Sequence, residues 1–255
     1  MCLKCSSRLI LDRSPRTPKA EWVRAKRIEA GYAAQLRKIA KHVADIVNGF
    51  DPESWQGAFV IRVTLQKYAQ LIEPWAGSVA TTMIKEVAAR DKDAWNKVAA
   101  RMGRGLRREI DTAPTGQVMR SLLAEQVTLI KSLPLEAAER VHKLTTEGIS
   151  QGQRASSIVG KIMETGDVTR SRATLIARTE TSRTATSLTM ARALHVGSTH
   201  FIWHTAGDSD VRASHKKLNG LSFRWDDPPE CDPGYHALPG GIWNCRCWPE
   251  PLISD

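Results

Sequence analysis

Two cysteines and a histidine in the C-terminal region are the residues of this sequence best suited to chemistry. Cys245 and Cys247 are one residue apart, so both thiolates could chelate one Zn²⁺ ion, and His215, Cys231 or His236 could complete a tetrahedron. Two other states account for the same pattern. The thiols could be reduced and buried on one face of a strand, because residues two apart point the same way, or they could form a disulfide with Cys231. The sequence leaves these states open.

The same side chains also permit nucleophilic catalysis. A cysteine hydrolase needs a thiol beside a histidine base, and Cys245 with His215 would supply both. A zinc hydrolase would use the same ligands. No spacing in the sequence requires these groups to lie within hydrogen-bond reach. We therefore expect no enzyme and no cofactor, and keep the cysteine- or zinc-dependent hydrolase as the alternative hypothesis.

These residues must be positioned by a short helix and a few strands. The segment Asp210–Leu218 has helical character, with Asp208 or Ser209 as its expected N-cap and Asn219-Gly220 at its end. Arg212 and His215 are three residues apart, so we expect them to project to one side, with Arg212 paired to a nearby acid. The β-rich segments are 199–205, 221–225 and 242–249, and a loop rich in proline and glycine separates the last two.

Upstream, apolar residues recur at helical spacing from Lys19 to about Ser150. The clearest seam comprises Tyr32, Leu36, Ile39, Val43, Ile46 and Phe50. We expect helices that end at Asn48-Gly49, before Pro74 and before Pro114, then a helix over 117–131 that Pro134 kinks or ends, and a shorter one over 135–147. A short helix ending at Gly166 and a longer one from Val168 to about His195 follow. The apolar faces of these helices could bind a second copy of the chain, or they could pack against one another within one chain.

The first 200 residues carry the positive charge. The chain has 37 Lys+Arg and 27 Asp+Glu, a net charge of +10. Residues 201–255 contain five basic and eight acidic residues, a net of −3, which leaves +13 for residues 1–200. DNA is a compatible partner, although solvated helix faces would carry such charge equally well. The densest basic cluster, a weak candidate for DNA binding, comprises Arg101, Arg104, Arg107 and Arg108.

Composition excludes several classes of protein. No run of about 18 apolar residues occurs, so no membrane-spanning helix is expected. The first residues lack the pattern of a signal peptide, and five cysteines do not indicate a disulfide framework. Cys2 and Cys5 form half of a zinc-site pattern without a matching second half. We predict an α+β chain with a flexible tail (1–18), a basic region of long helices (19–150) and a small domain with a few short strands (151–255).

The C-terminal motifs together resemble the phage Mu F-like head morphogenesis family of minor capsid proteins. The residues that carry the resemblance, in order along the chain, are Arg178, Glu180, Trp203, Asp208, Asp210, Arg212, His215, Gly220, Asn244, Cys245 and Cys247. Each is weak alone, but their order and spacing are specific over about 150–250. The resemblance implies a protein of a tailed phage or prophage that lies inside the procapsid, associates with the portal, and aids head assembly and DNA packaging or delivery.

From this resemblance we expect portal, capsid or scaffold proteins as partners, and double-stranded DNA as a sequence-independent one. We expect the protein in the virion interior, and in the host cytoplasm during assembly. The family supplies no defined reaction, so the motif residues have no assigned role at this stage.

Overall fold

The computed structural model describes residues 25–50, 55–102 and 111–253. The predicted tail, the Cys2 and Cys5 pair, and the basic residues Arg104, Arg107 and Arg108 lie outside this range. Arg101 lies in the last turn of the third helix. Within the described part, no helix is both long enough and apolar enough to span a membrane.

Among the described residues, six helices precede a small region of short strands, and this order of long helices before short strands is the one that the sequence predicted. The helices are α1 (Lys26–Asn48), α2 (Trp55–Leu71), α3 (Glu73–Met102), α4 (Thr115–Ser150), α5 (Ala155–Met163) and α6 (Thr165–His195). The rest comprises β1 (His200–His204), α7 (Ala213–Leu218), β2 (Ser222–Arg224), β3 (Glu230–Asp232), β4 (Tyr235–His236) and β5 (Trp248–Leu252).

The helices share one hydrophobic core, in which α1 lies along α6 and α2 lies along α4. The predicted α1 seam is buried from Tyr32 to Val43, and Leu36, Ile39 and Val43 are at most 1% exposed. Phe50, its last predicted member, lies beyond the end of α1 and is 39% exposed. Ile176 and Leu188 of α6 pack into the same core. The helices before and after residue 150 are therefore in contact, and the predicted domain division at that point stays a prediction.

Helix α4 corrects one expectation. The structure has a single helix of 36 residues that continues through Pro134, rather than two helices separated there. An internal proline removes a helical hydrogen bond and costs roughly 3 kcal/mol. Ile130, Leu133 and Ala137 are buried on both sides of the proline against the neighbouring helices, and this packing keeps the helix continuous.

Two helix boundaries also differ from the prediction. Gly166 belongs to the first turn of α6, which begins at Thr165, rather than ending α5. In the last turn of α6, Leu194 is 48% exposed, whereas Arg192 and Ala193 are buried. Arg192 pairs with the buried Asp91 of α3.

The strands form two small antiparallel sheets. The first has the order β2-β1-β5, with Phe201 opposite Phe223 and Pro251. The two prolines of β5, Pro249 and Pro251, fit because β5 is an edge strand in this sheet. The β3–β4 hairpin lies within the loop predicted between 226 and 241 and was not anticipated. A second core cluster joins this region to α3 through Trp95.

Candidate functional site

The structure brings His215, Cys245 and Cys247 together. His215 lies on α7, and the cysteines lie in the loop before β5, within the segment 242–249 that was predicted as a strand or an extended segment. The His215 Nδ1 atom is 3.3 Å from the Cys247 Sγ and 3.5 Å from the Cys245 Sγ. The three side chains are between 2% and 5% exposed, and their possible ligand atoms all lie within 4.8 Å of one another. We call these three residues the thiol–imidazole cluster.

The other side of the His215 ring faces an acid. Its Nε2 atom is buried without a hydrogen bond and lies 3.7 Å from the Asp232 Oδ1 atom. Ser214 donates a hydrogen bond of 2.9 Å to the same oxygen, and the Arg212 guanidinium lies 3.5 Å from the other. Asp232 is thus held in place beside the imidazole. Arg212 pairs with this carboxylate of β3, a partner that the sequence did not identify.

The two thiols of the cluster are not equivalent. A hydrogen bond from the Cys247 thiol lowers the pKa of Cys245, and a weaker contribution from His215 acts in the same direction. The same bond and burial raise the pKa of Cys247. The shared hydrogen bond therefore favours ionisation of one thiol of the pair rather than both.

Helix α6 holds the cysteine loop through Asn244. The Arg178 Nη1 atom donates a hydrogen bond of 2.6 Å to the Asn244 side-chain oxygen, and the Asn244 N–H donates to the Thr179 hydroxyl at 3.0 Å. Asn244 adopts a φ of 57°, a left-handed conformation that few residues other than glycine and asparagine tolerate. Arg178 also lies 3.5 Å from Glu29 of α1. The motif residues on α6 thereby fix the loop that carries both cysteines.

A second contact holds the same loop from the β1–α7 side. Arg246, between the two cysteines, makes a bidentate ion pair with Asp208 at 2.5 Å and lies 3.3 Å from Asp210. Arg212 donates to the backbone carbonyl of Trp243 at 2.9 Å. Asp208 was predicted to cap α7, but the N-cap position is Arg212, with no side-chain cap hydrogen bond. The sequence did not single out Arg246, and only its charge, opposite to that of Asp208, could have indicated this pairing.

Glu180 has a role apart from the loop. It is 4% exposed and accepts a hydrogen bond of 2.6 Å from Gln126 of α4, whose own side-chain oxygen accepts one of 2.9 Å from Tyr32 of α1. Burial raises the pKa of Glu180, and the hydrogen bond from Gln126 and the nearby Arg183 oppose this shift. Glu180 thus links α6 to α4 and, through Gln126, to α1. These contacts help to position α6 beneath the cysteine loop.

Two backbone positions and one aromatic residue complete the motif. Gly220 has a φ of +81° and donates its N–H to the Trp203 carbonyl at 2.7 Å. The Trp203 ring is fully buried and meets the His215 ring edge-on, with centroids 5.4 Å apart. Gly240 also has a positive φ, and a Cβ there would lie 3.1 Å from the Cys247 carbonyl oxygen. The loop therefore packs against its surroundings with little spare room.

Burial argues against the nucleophilic hypothesis. The Cys245 and His215 side chains are within reach of each other, as a cysteine hydrolase needs, but each is only 2% exposed. A cavity of about 30 Å³ borders Cys247, which is room for one water rather than a substrate. A larger groove of about 560 Å³ between α4 and α6 is lined by neither cysteine nor histidine. The cluster brings α7 and the loop before β5 into contact.

Comparison with known proteins identifies the C-terminal part. Residues 139–249 match the family described as "Phage Mu protein F like protein". A protein of Haemophilus influenzae, described as "Uncharacterized protein", is 25% identical over 248 residues, which cover 91% of this chain and 54% of that protein. The chain thus spans about half the length of this curated relative. No solved structure shows significant similarity.

The match includes the end of α4, all of α5 and α6, and the strand region up to the start of β5. All the motif residues from Arg178 to Cys247 lie within it, including those that hold the cysteine loop. The C-terminal part of this chain, residues 139–249, is therefore similar to the family of phage Mu protein F-like proteins.

Proposed function

We propose that this chain is a minor capsid, or head-morphogenesis, protein of a tailed phage or prophage. The observation that carries the proposal is the family match over residues 139–249, which points to a phage head protein. The motif residues are used for internal hydrogen bonds and ion pairs, as suits a structural module. The chain covers about half of its curated relative, so its partners and place of action belong to the proposal.

Within that role we assign the protein to the interior of the procapsid, at the portal, where it acts in head assembly and in DNA packaging or delivery. An exposed aromatic residue supports a docking function. Trp243 is 60% exposed although its own carbonyl and the next residue are held by Arg212 and Arg178. Aromatic side chains presented by a fixed backbone are frequent anchors of protein interfaces. We propose that Trp243 contacts the portal.

Sequence-independent DNA binding is a second activity that the charge distribution favours. The first 200 residues carry a net charge of +13, against −3 for the remainder. Binding of this kind depends on phosphate contacts and weakens steeply as salt increases. Portal docking through an aromatic anchor would depend on salt much less, so a salt series separates the two activities.

The test is a pull-down of the portal oligomer from the same phage, and of random-sequence duplex DNA, each over a salt series. We expect portal binding that persists at high salt and that Trp243→Ser reduces at least tenfold. Tyr235→Ser is the matched control, because Tyr235 is equally exposed (64%) but lies on the β3–β4 hairpin. Portal binding that is absent, or equally weakened by both variants, would refute the docking proposal. DNA binding unaffected by salt would refute the electrostatic one.

A further inference from the structure

We propose that His215, Cys245 and Cys247 bind one structural Zn²⁺ ion that joins α7 to the loop before β5. This inference is independent of the head-morphogenesis role, because it rests on the side chains alone. No described residue outside the thiol–imidazole cluster forms another group of three possible metal ligands of this kind.

The spacing of the ligand atoms fits zinc. Zn–S bonds of about 2.3 Å and Zn–N bonds of about 2.0–2.1 Å at tetrahedral angles place sulfur and nitrogen about 3.6 Å apart. The Nδ1 atom of His215 lies 3.3 Å and 3.5 Å from the two sulfurs. An ion placed between them would therefore need only small movements of the side chains. Two soft sulfur donors and one imidazole also form the ligand set that favours zinc over harder cations.

The surroundings of His215 match those of a metal-bound histidine. Imidazoles that bind a metal through one nitrogen usually donate the other N–H to a carboxylate, which fixes the ring. Asp232 lies 3.7 Å from the buried Nε2 atom, which has no hydrogen-bond partner, and Ser214 and Arg212 hold that carboxylate. The ring is thus oriented with Nδ1 toward the sulfurs.

Cys231 is a nearby thiol that the proposal leaves out. It is buried in the same core cluster, but its sulfur lies 3.4 Å from the Tyr235 carbonyl and does not belong to the group of close ligand atoms. The three side chains leave the fourth position of a tetrahedral site to a water molecule.

The experiment uses the full chain with Cys2→Ser and Cys5→Ser substitutions, so that the N-terminal cysteine pair cannot contribute metal. Zinc content is measured after purification under reducing conditions, and Co²⁺ is then titrated into the chelator-treated protein. We expect one Zn²⁺ per chain, and a thiolate-to-cobalt charge-transfer band with the visible bands of a tetrahedral site. Removal of zinc with a chelator should lower the melting temperature, with recovery on adding Zn²⁺.

Three variants test the ligands and one serves as control. Cys245→Ala, Cys247→Ala and His215→Ala should each lose the stoichiometric zinc, whereas Cys231→Ala, which also removes a buried thiol, should retain it. Far-ultraviolet circular dichroism checks that the helical core remains folded. Where a variant does not fold, the Co²⁺ spectrum of the parent chain decides instead. Absence of zinc together with absence of the cobalt bands would overturn the proposal. Loss of metal in Cys231→Ala would overturn the ligand assignment.

Discussion

The buried ion pair between α3 and α6 provides a quantitative test of the helical packing. Asp91 and Arg192 have side chains only 4% and 5% exposed, and they form an ion pair to which Thr189 adds a hydrogen bond of 2.6 Å. The substitution Arg192→Met would remove the cation and keep most of the side-chain volume. Asp91 would then remain as a buried carboxylate without a counter-ion.

The expected magnitude follows from the cost of a buried unpaired charge. Breaking such a pair from one side destabilises a protein by about 3–5 kcal/mol, whereas replacing both partners with apolar residues is often neutral or stabilising. Arg192→Met should therefore lower the free energy of unfolding by about 3–5 kcal/mol at pH 8. The double variant Asp91→Leu/Arg192→Met should recover most of that loss.

The pH dependence has a defined sign. Burial raises the pKa of Asp91 from 3.8 to about 6, and Arg192 and Thr189 oppose this shift. An acid whose pKa is raised by folding takes up a proton on folding, so it costs stability as pH rises through roughly 4 to 6. Removing Arg192 would raise that pKa further. The penalty of Arg192→Met should therefore be smaller at pH 5 than at pH 8, because the carboxyl becomes neutral.

Urea unfolding of the wild type, both single variants and the double variant at pH 5 and pH 8 measures these quantities. If the Asp91→Leu and Arg192→Met substitutions show no coupling energy in this cycle, the ion pair between Asp91 and Arg192 is refuted. A penalty for Arg192→Met that is independent of pH would refute the raised pKa of Asp91.

Three further predictions concern packing. Gly240→Ala and Gly207→Ala both place an alanine at positive φ, but only Gly240 is crowded by neighbouring atoms. In thermal or urea unfolding, both variants should lose about 1–2 kcal/mol of unfolding free energy because alanine is strained at positive φ. Gly240→Ala should lose about 1–3 kcal/mol more because its new Cβ would be crowded. Equal losses would contradict the close approach of neighbouring atoms to Gly240. Gln126→Ala leaves a phenol and a carboxyl buried without their partner, so urea unfolding should show a loss of about 1–3 kcal/mol for each group. A loss below 1 kcal/mol would contradict that network. The isolated segment 151–255 exposes the face of α6 that α1 covers, so it should bind a hydrophobic dye and melt over a broad range. Sharp, cooperative melting would instead support an independent domain there.

The helical part of the fold was predictable because its signals are local. The seam from Tyr32 to Val43 has helical spacing, and Gly49 ends α1 where Asn48-Gly49 predicted it. Proline rules failed at Pro134, since the packing of Ile130 and Leu133 on adjacent turns outweighs a local penalty. Tertiary contacts of this kind have no signature in a single sequence.

The site was predictable in its residue types but not in its connections. Cys245, Cys247 and His215 were proposed together as ligands, and the structure places them together. Their positioning residues were missed or given other partners. Asp208 pairs with Arg246 rather than capping α7, and Arg212 pairs with Asp232 of a hairpin that the sequence did not suggest. These pairs join residues 20 or more positions apart, so only the folded chain brings them together.

The central claim is that this chain is a structural component of a phage head. The most direct measurement is to co-express it with the portal, major capsid and scaffold proteins of the same phage, and to separate assembled procapsids on a sucrose gradient. We expect the chain to co-sediment with the procapsids at high salt and to be protected from added protease, as a protein in the interior would be. A chain that stays in the soluble fractions while procapsids form, or that is degraded on their surface, would contradict it.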